Sequence, residues 1–395
     1  MSDTGSQNSH HQDLPFWSHG FRPFFFSAAL FSGIAIPVWV IMVTGGYEFE
    51  GAMPQRAWHI HEMVFGFLPC VITGFLLTAL PNWTDSPPMS GVPLIGLLIV
   101  WVMGRLAMSL PWFSPLLSVL VDGVFLVVVA VIVWQKIIAA KAWDRLPMGV
   151  LISLFAYANA LFHTLWMNQA VVEVAVRMAL AIMMVLLALI GGKIIPSFTE
   201  DFFTEKAIVK QPAKFSSLDG VSILLLVITG VAWMITPEAT GVGYAFLFVG
   251  VLHLVRLSRW YGWLTASEPL VLILHIGYGW LAMSFLILGT SILGIGIDQE
   301  EAFHALTTGA VGVMTLAVMT RASLGHTGRV KHAGSLTVMI YLLVNVGAVL
   351  RVFGPSLEWL GDGSLVWAGG CWSGAYLLFA IAYGHMLFGE NLKEA

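Results

Sequence analysis

Residues 58–67 read WHIHEMVFGF, placing His59, His61 and Glu62 at the mouth of an apolar run long enough to cross a membrane. Ionisable groups in that position are costly and are functional by default. Imidazole is the usual axial ligand of a b-type haem and a good ligand for copper. A neighbouring carboxylate either holds the imidazole in one tautomer or relays a proton. At 3.6 residues per turn, His59 and His61 stand about 200° apart. On a regular helix they cannot both face one site, so one ligates while the other serves a neighbouring site or a hydrogen bond that supports the ligand. The plain alternative is a pair of interfacial histidines bonded to headgroups or loop carbonyls.

Other residues extend the pattern. Asn159 and His163 are four apart and share a helix face. That spacing suits an oriented ligand, or a simple interhelical hydrogen bond. His304 and His326, 22 residues apart, occupy roughly one face at opposite ends of a span, so they belong to separate sites. The stripe His59, Met63, Gly66 and Cys70 could offer soft sulfur to Cu(I), although Met and Cys at helical spacing commonly just pack. Gly66 and Gly74 leave room for close helix packing or for a flat macrocycle. Haem propionates are usually neutralised by guanidinium groups. Arg56, one turn before His59, and Arg105 are the candidates, with Arg177 and Arg351 at similar depth; simple snorkelling at the interface is the alternative.

The elements that must position these groups are set by composition. The 395-residue chain is 58% hydrophobic and 10% charged, whereas a soluble domain carries about 25% charged residues. Leu, Ile, Val and Met runs without period-two alternation predict helices rather than a barrel. The expected fold is therefore all-α and polytopic, with twelve transmembrane helices near 22–45, 57–80, 92–110, 114–138, 147–168, 174–196, 219–236, 241–258, 268–293, 302–324, 334–353 and 364–388. A polar tail over 1–20, with no cleavable signal peptide expected, precedes a single membrane domain over 21–395. A cytoplasmic linker at about 197–218, carrying Glu200, Asp201, Lys206, Lys210 and Lys214, divides six spans from six.

Lysine and arginine bias sets the orientation. With a cytoplasmic N-terminus, fourteen of the 18 cations fall on one side, Lys393 among them, and only Arg56, Arg105, Arg177 and Arg351 on the other. Both termini are thus expected in the cytoplasm. His59, His61, His163 and His304 then converge near the outer ends of spans two, five and ten. His275 lies deeper, in the inner half of span nine, and His253 in the inner half of span eight. His19, His326, His332 and His385 sit near the cytoplasmic face, and His10 and His11 fall in the tail. Cys70 and Cys371 are lone thiols within spans, which excludes a disulfide framework. No basic patch with interleaved aromatics speaks for nucleic acid. A nucleotide loop, a nucleophile triad and a Cys-x-x-Cys pair are likewise missing from the sequence.

The segments GFRPFF (20–25), WHIHEMVFGF (58–67), GFLLTALPNWT (74–84), IIPSFT (194–199), HIGYGWL (275–281) and HALTTGAVGVMTLAVMTRASLGHTGR (304–329) resemble the NnrS family. The resemblance implies a twelve-span bacterial inner-membrane protein containing haem and copper. It also implies a link to nitric oxide metabolism and protection from nitrosative stress in denitrifying or NO-exposed bacteria. His59, His61, Glu62, His275, His304, His326, Arg22, Arg321 and Arg329 occupy motif positions; which histidine holds iron and which copper stays open. Haem–copper oxidases and NO reductases look similar in span number and in the histidines of spans two and ten. Span six here has no histidine and no span has adjacent histidines, so that superfamily's copper site is absent and the likeness is architectural. H-x-x-x-x-G recurs at His61–Gly66 and His304–Gly309, a hint of an internal repeat.

The expectation is a haem b and copper membrane protein that acts on nitric oxide, reducing or capturing it. Its metal ligands are drawn from His59, His61, His163, His275 and His304. Arg56 and Arg105 lie beside the cofactor, and Glu62 and His163 handle protons. Reduction also requires an electron donor, a quinol or a periplasmic carrier. His326 and Glu268, with Arg321, could line a proton path from the cytoplasm, or simply mark the positive-inside face. Two other classes compete: a transporter or metal- or haem-handling protein, and a non-catalytic NO sensor. The six-plus-six layout and helix breaks at Gly66 and Pro69 suit a transporter. A transporter's polar residues should cluster at the midplane, however, whereas these gather near the outer face.

Overall fold

The computed structural model describes residues 14–47, 51–357, 360–361 and 363–392. His10, His11, most of the polar tail and Lys393 lie outside them. Twelve helices are long and apolar enough to cross a membrane: α1 Phe21–Gly45, α2 Gln55–Thr84, α3 Gly91–Ser109, α4 Pro115–Ala140, α5 Trp143–Met167, α6 Glu173–Glu205, α7 Ser217–Ile235, α8 Thr240–Ser258, α9 Pro269–Ile292, α10 Gln299–His326, α11 Ser335–Ser356 and α12 Gly363–Phe388. Among the described residues there is no strand. An apolar segment in lipid must bond its own backbone, and a helix does so within itself.

Burial sorts the helices into two classes. In α2 and α10, 72% of the most apolar window is buried inside the protein, in α9 67% and in α6 61%, against 33–44% for the other eight. Three of the four interior helices, α2, α9 and α10, carry the histidine motifs, and the eight outer ones turn an apolar face outward. On α4 that face is Leu120, Val124, Val127 and Val131, repeating at three to four residues. Helices α3, α4 and α5 pack successively beside α2, α8 lies on α9, and α12 returns to α1.

The start of α1 and the residues after α12 meet at one end of the bundle, the terminal end. Buried Arg22 donates to the carbonyls of Leu387 and Gly389, each at 2.7 Å, and to Asn391 Oδ1 at 2.6 Å. The opposite, distal end holds the starts of α2 and α10.

Two local features depart from the sequence reading. Helix α6 continues to Glu205 where its end was expected near 196, so the connection to α7 is only Lys206–Ser216. Polar Glu200 and Asp201 lie on an exposed face, while Thr199 and Phe203 are fully buried and Phe202 packs with Val271, which holds the added turns in helix. Second, α2 and α10 each pass through a π-helical stretch, Glu62–Phe67 and Ala305–Gly312. Each stretch begins directly after a histidine, His61 or His304, and each contains the glycine of the recurring H-x-x-x-x-G. A π turn adds a residue to the helix and rotates the phase of the next turns, a feature frequent at functional sites.

Candidate metal centre

On one face of α2, fully buried among α3, α4 and α5, six polar side chains close on one another. His61 Nδ1 lies 2.9 Å from Glu62 Oε1. A carboxylate only accepts, so this contact places the proton of neutral His61 on Nδ1 and leaves a lone pair on Nε2. That Nε2 stands 3.2 Å from each of Asn159 Oδ1, His163 Nε2 and Asp122 Oδ2. His163 Nε2 is 2.8 Å from Asp122 Oδ2, which also accepts from Asn159 Nδ2 at 2.9 Å. Arg105 bridges the two acids, donating to Glu62 Oε1 at 2.8 Å and to Asp122 Oδ1.

Electron-rich atoms crowd together here, and something positive must sit among them. Glu62 and Asp122 carry two negative charges against one on Arg105, in a pocket where each of the six side chains is at most 6% exposed. An uncompensated charge in such a place is strongly unfavourable. A proton shared by the imidazoles would balance it, and so would a metal ion. One ligand atom from each of His61, Asp122 and His163 lies within 4.8 Å of the others. In a tetrahedral site with bonds of about 2.0–2.1 Å, neighbouring ligand atoms stand about 3.3–3.4 Å apart, close to the spacing seen. Two imidazoles and a carboxylate suit copper, Zn(II) or Fe(II). The donor set therefore fits a transition metal.

Local sequence explains the placement. A Cβ at Gly66 would overlap the Arg105 guanidinium, so the glycine is what lets the arginine reach both acids. The Gly66 carbonyl, displaced in the π turn, accepts from Trp101 Nε1 at 2.9 Å. Glu62 Oε2 and His163 Nδ1 are buried with no partner among the described residues.

The opposite face of α2 borders a different site. His59 and His304 line a cavity between α2 and α10 together with Arg351, Trp39, Phe67 and Trp372. The His59 ring stacks on Trp39, centroids 3.9 Å apart. His304 Nδ1 donates to the Glu300 carbonyl at 2.6 Å, which leaves its Nε2 lone pair free. Two imidazoles from different helices, apolar walls and one guanidinium match the donor chemistry of a haem. Its volume, about 70 Å³, is room for a diatomic gas or a water or two. A macrocycle would require the walls to part.

The four histidines expected at one level thus divide into two pairs, His61 with His163 and His59 with His304, separated by the thickness of α2. His275 joins neither pair: it lies toward the terminal end, 2.9 Å from Thr199 Oγ1 and packed against Gly262. Arg105 is engaged by Glu62 and Asp122 through its two terminal nitrogens, and its Nε is buried without a partner among the described residues. Arg56 is exposed and pairs with Glu300 at 2.6 Å, outside the cavity lining. The arginine beside the histidines is Arg351, paired with Glu301 at 3.4 Å. The Met–Cys stripe also disperses. Met63 lines the cavity, whereas Cys70 donates to the Phe24 carbonyl at 3.3 Å. Glu268 caps α9 through Leu270 N and pairs with His332, and Arg321 stacks on Phe198.

Asp122 is the residue that sequence reasoning missed. Its signal was plain: it is the one acid in the apolar run Pro115–Ala140, and an ionisable group inside a span asks for a partner. A second buried polar group, at the terminal end, joins Arg256 to Asp219 at 2.7 Å and to Tyr278 at 2.7 Å, with His253 2.8 Å from the same phenol.

No curated protein matches the chain. A family profile described as NnrS protein matches residues 15–390, a stretch that includes every helix and both histidine pairs. This multi-pass membrane protein, with its His–Asp–His cluster placed to hold a metal, belongs to the NnrS family.

Proposed function

We propose that this chain is a metalloprotein of the bacterial inner membrane that captures or reduces nitric oxide at its distal end. The observation that carries the reading is the buried His61–Asp122–His163 cluster standing one helix away from a small cavity lined by His59 and His304. Copper is assigned to the cluster, and haem b, if the cavity walls part, to His59 and His304. When bound, these groups supply NO binding and electron transfer. With both termini cytoplasmic, as the charge bias indicates, the distal end faces the periplasm. A quinol or a periplasmic carrier then supplies electrons if NO is reduced.

The chain's own residues do the rest. Arg105 holds Glu62 and Asp122 in register. Glu62 orients His61 through Nδ1, and its unpartnered Oε2 is free to take a proton. His163, also with a free ring nitrogen, is the second proton-handling group. The largely apolar walls of the cavity give NO, itself apolar and uncharged, a favourable place.

The test is to purify the protein from cells given ample haem and copper, measure its metals, and record optical spectra oxidised, reduced and NO-treated. Stoichiometric copper with a Soret band that shifts with NO supports the reading. Neither metal nor Soret band would sink it. NO consumption with a reductant supplied selects reduction, and a stable adduct selects capture.

A further inference from the structure

Above the His61–Asp122–His163 cluster, toward the distal surface, lies a second cavity of about 280 Å³. Three of its nine lining residues are methionines, Met53, Met108 and Met167. The whole chain has 18 methionines in 395 residues, so the concentration is several-fold. The walls are continuous with the cluster. Met108 follows Arg105 by three residues on α3. Ser118 precedes Asp122 by one turn on α4 and is bonded to the Ala107 carbonyl at 2.8 Å. Met167 follows His163 by one turn on α5. Exposure falls inward: Met167 is 46% exposed, Met53 3% and Met108 0%. The Ala52 N–H, bonded to the Met108 carbonyl at 3.2 Å, holds Met53 beside α3.

We infer that Met53, Met108 and Met167 form a soft-metal site that takes Cu(I) at the distal surface and leads it toward the buried cluster. Thioethers are neutral, soft donors that select Cu(I) over divalent ions and over protons. A neutral Met site holds a monovalent ion without a buried anion, whereas the carboxylates of Glu62 and Asp122 beneath draw a cation inward. The direction of transfer rests on reading that cluster as a metal centre.

The test uses the full chain, stripped of metal in detergent and titrated anaerobically with Cu(I) from a chromophoric chelator. In H61Q/H163Q, which removes the buried donors, one Cu(I) equivalent still binds, and X-ray absorption shows sulfur neighbours. In M53L/M108L/M167L, of nearly unchanged volume, that equivalent is lost and the buried centre fills more slowly from limiting Cu(I). M167L alone, at the exposed mouth, gives the same slowing if the triple variant unfolds. Sulfur-free coordination in the histidine variant, or methionine variants that bind and fill as the wild type does, overturns the proposal. A sulfur-bound equivalent in a wild type whose buried cluster never takes metal supports the methionine site and sinks only the reading of the cluster.

Discussion

His59 and His61, two residues apart on α2, belong to different sites. His59 stacks on Trp39 and faces the cavity shared with His304, whereas His61 is fully buried against Asp122 and His163. One helix therefore separates a gas-sized cavity from a metal-type donor set and touches both. Each side can be altered without removing the other.

That separability is the first expectation. His61→Ala and His163→Ala lose the metal of the buried centre, while His59→Ala and His304→Ala retain it and lose NO binding in the cavity. Metal analysis per protein, alongside NO-difference spectra, distinguishes the pairs. Loss of the same metal in all four variants would join the sites into one.

Arg105 is the electrostatic keystone between Glu62 and Asp122. Arg105→Leu leaves two buried carboxylates facing one another, and breaking a buried pair from one side costs about 3–5 kcal/mol. The melting temperature in detergent falls accordingly. Arg105→Leu/Asp122→Asn, which also removes one of the charges, recovers part of the loss, though not the metal.

Gly66→Ala and Gly96→Ala make a matched pair. A methyl at Gly66 meets the Arg105 guanidinium, with Glu62 Oε2 at 3.3 Å, whereas one at Gly96 meets nothing within 4 Å. Gly66→Ala is expected to displace Arg105 and lower metal occupancy. Gly96→Ala leaves both occupancy and melting temperature at or above the wild-type level. Equal effects would show that the arginine can be accommodated elsewhere.

The arginines of the distal rim also divide. Arg56→Gln breaks an exposed pair, 68% and 62% exposed on its two sides, which is worth under about 1 kcal/mol. Neither stability nor ligand binding changes appreciably. Arg351→Gln removes the one guanidinium lining the His59–His304 cavity, and it weakens anion-bearing cofactors or ligands there, read as a lower Soret absorbance per protein.

Much of the architecture was legible because hydropathy alone reports it: twelve helices stand where twelve apolar runs were read. Depth was legible too, since residue number along a span fixes it, and the two distal histidine pairs do lie at one level. Azimuth was not. Whether His59 and His304 share a site with His61 and His163 depends on how α2 is rotated against α5 and α10, which packing decides. The 200° between His59 and His61 correctly separated them, because both precede the π turn. The ion pairs of Arg105 were not legible, because its partner Asp122 had been passed over in favour of histidines. The H-x-x-x-x-G recurrence gained a physical meaning only in three dimensions, as two π-helical stretches beginning after His61 and His304.

The most direct test is X-ray absorption at the copper edge on protein loaded with one equivalent of Cu(II), which the methionine site does not hold, compared with His61→Ala and His163→Ala. The account predicts nitrogen and oxygen neighbours with an imidazole scattering pattern, lost in both variants. Copper that binds without imidazole neighbours, or that binds unchanged in both variants, would contradict it.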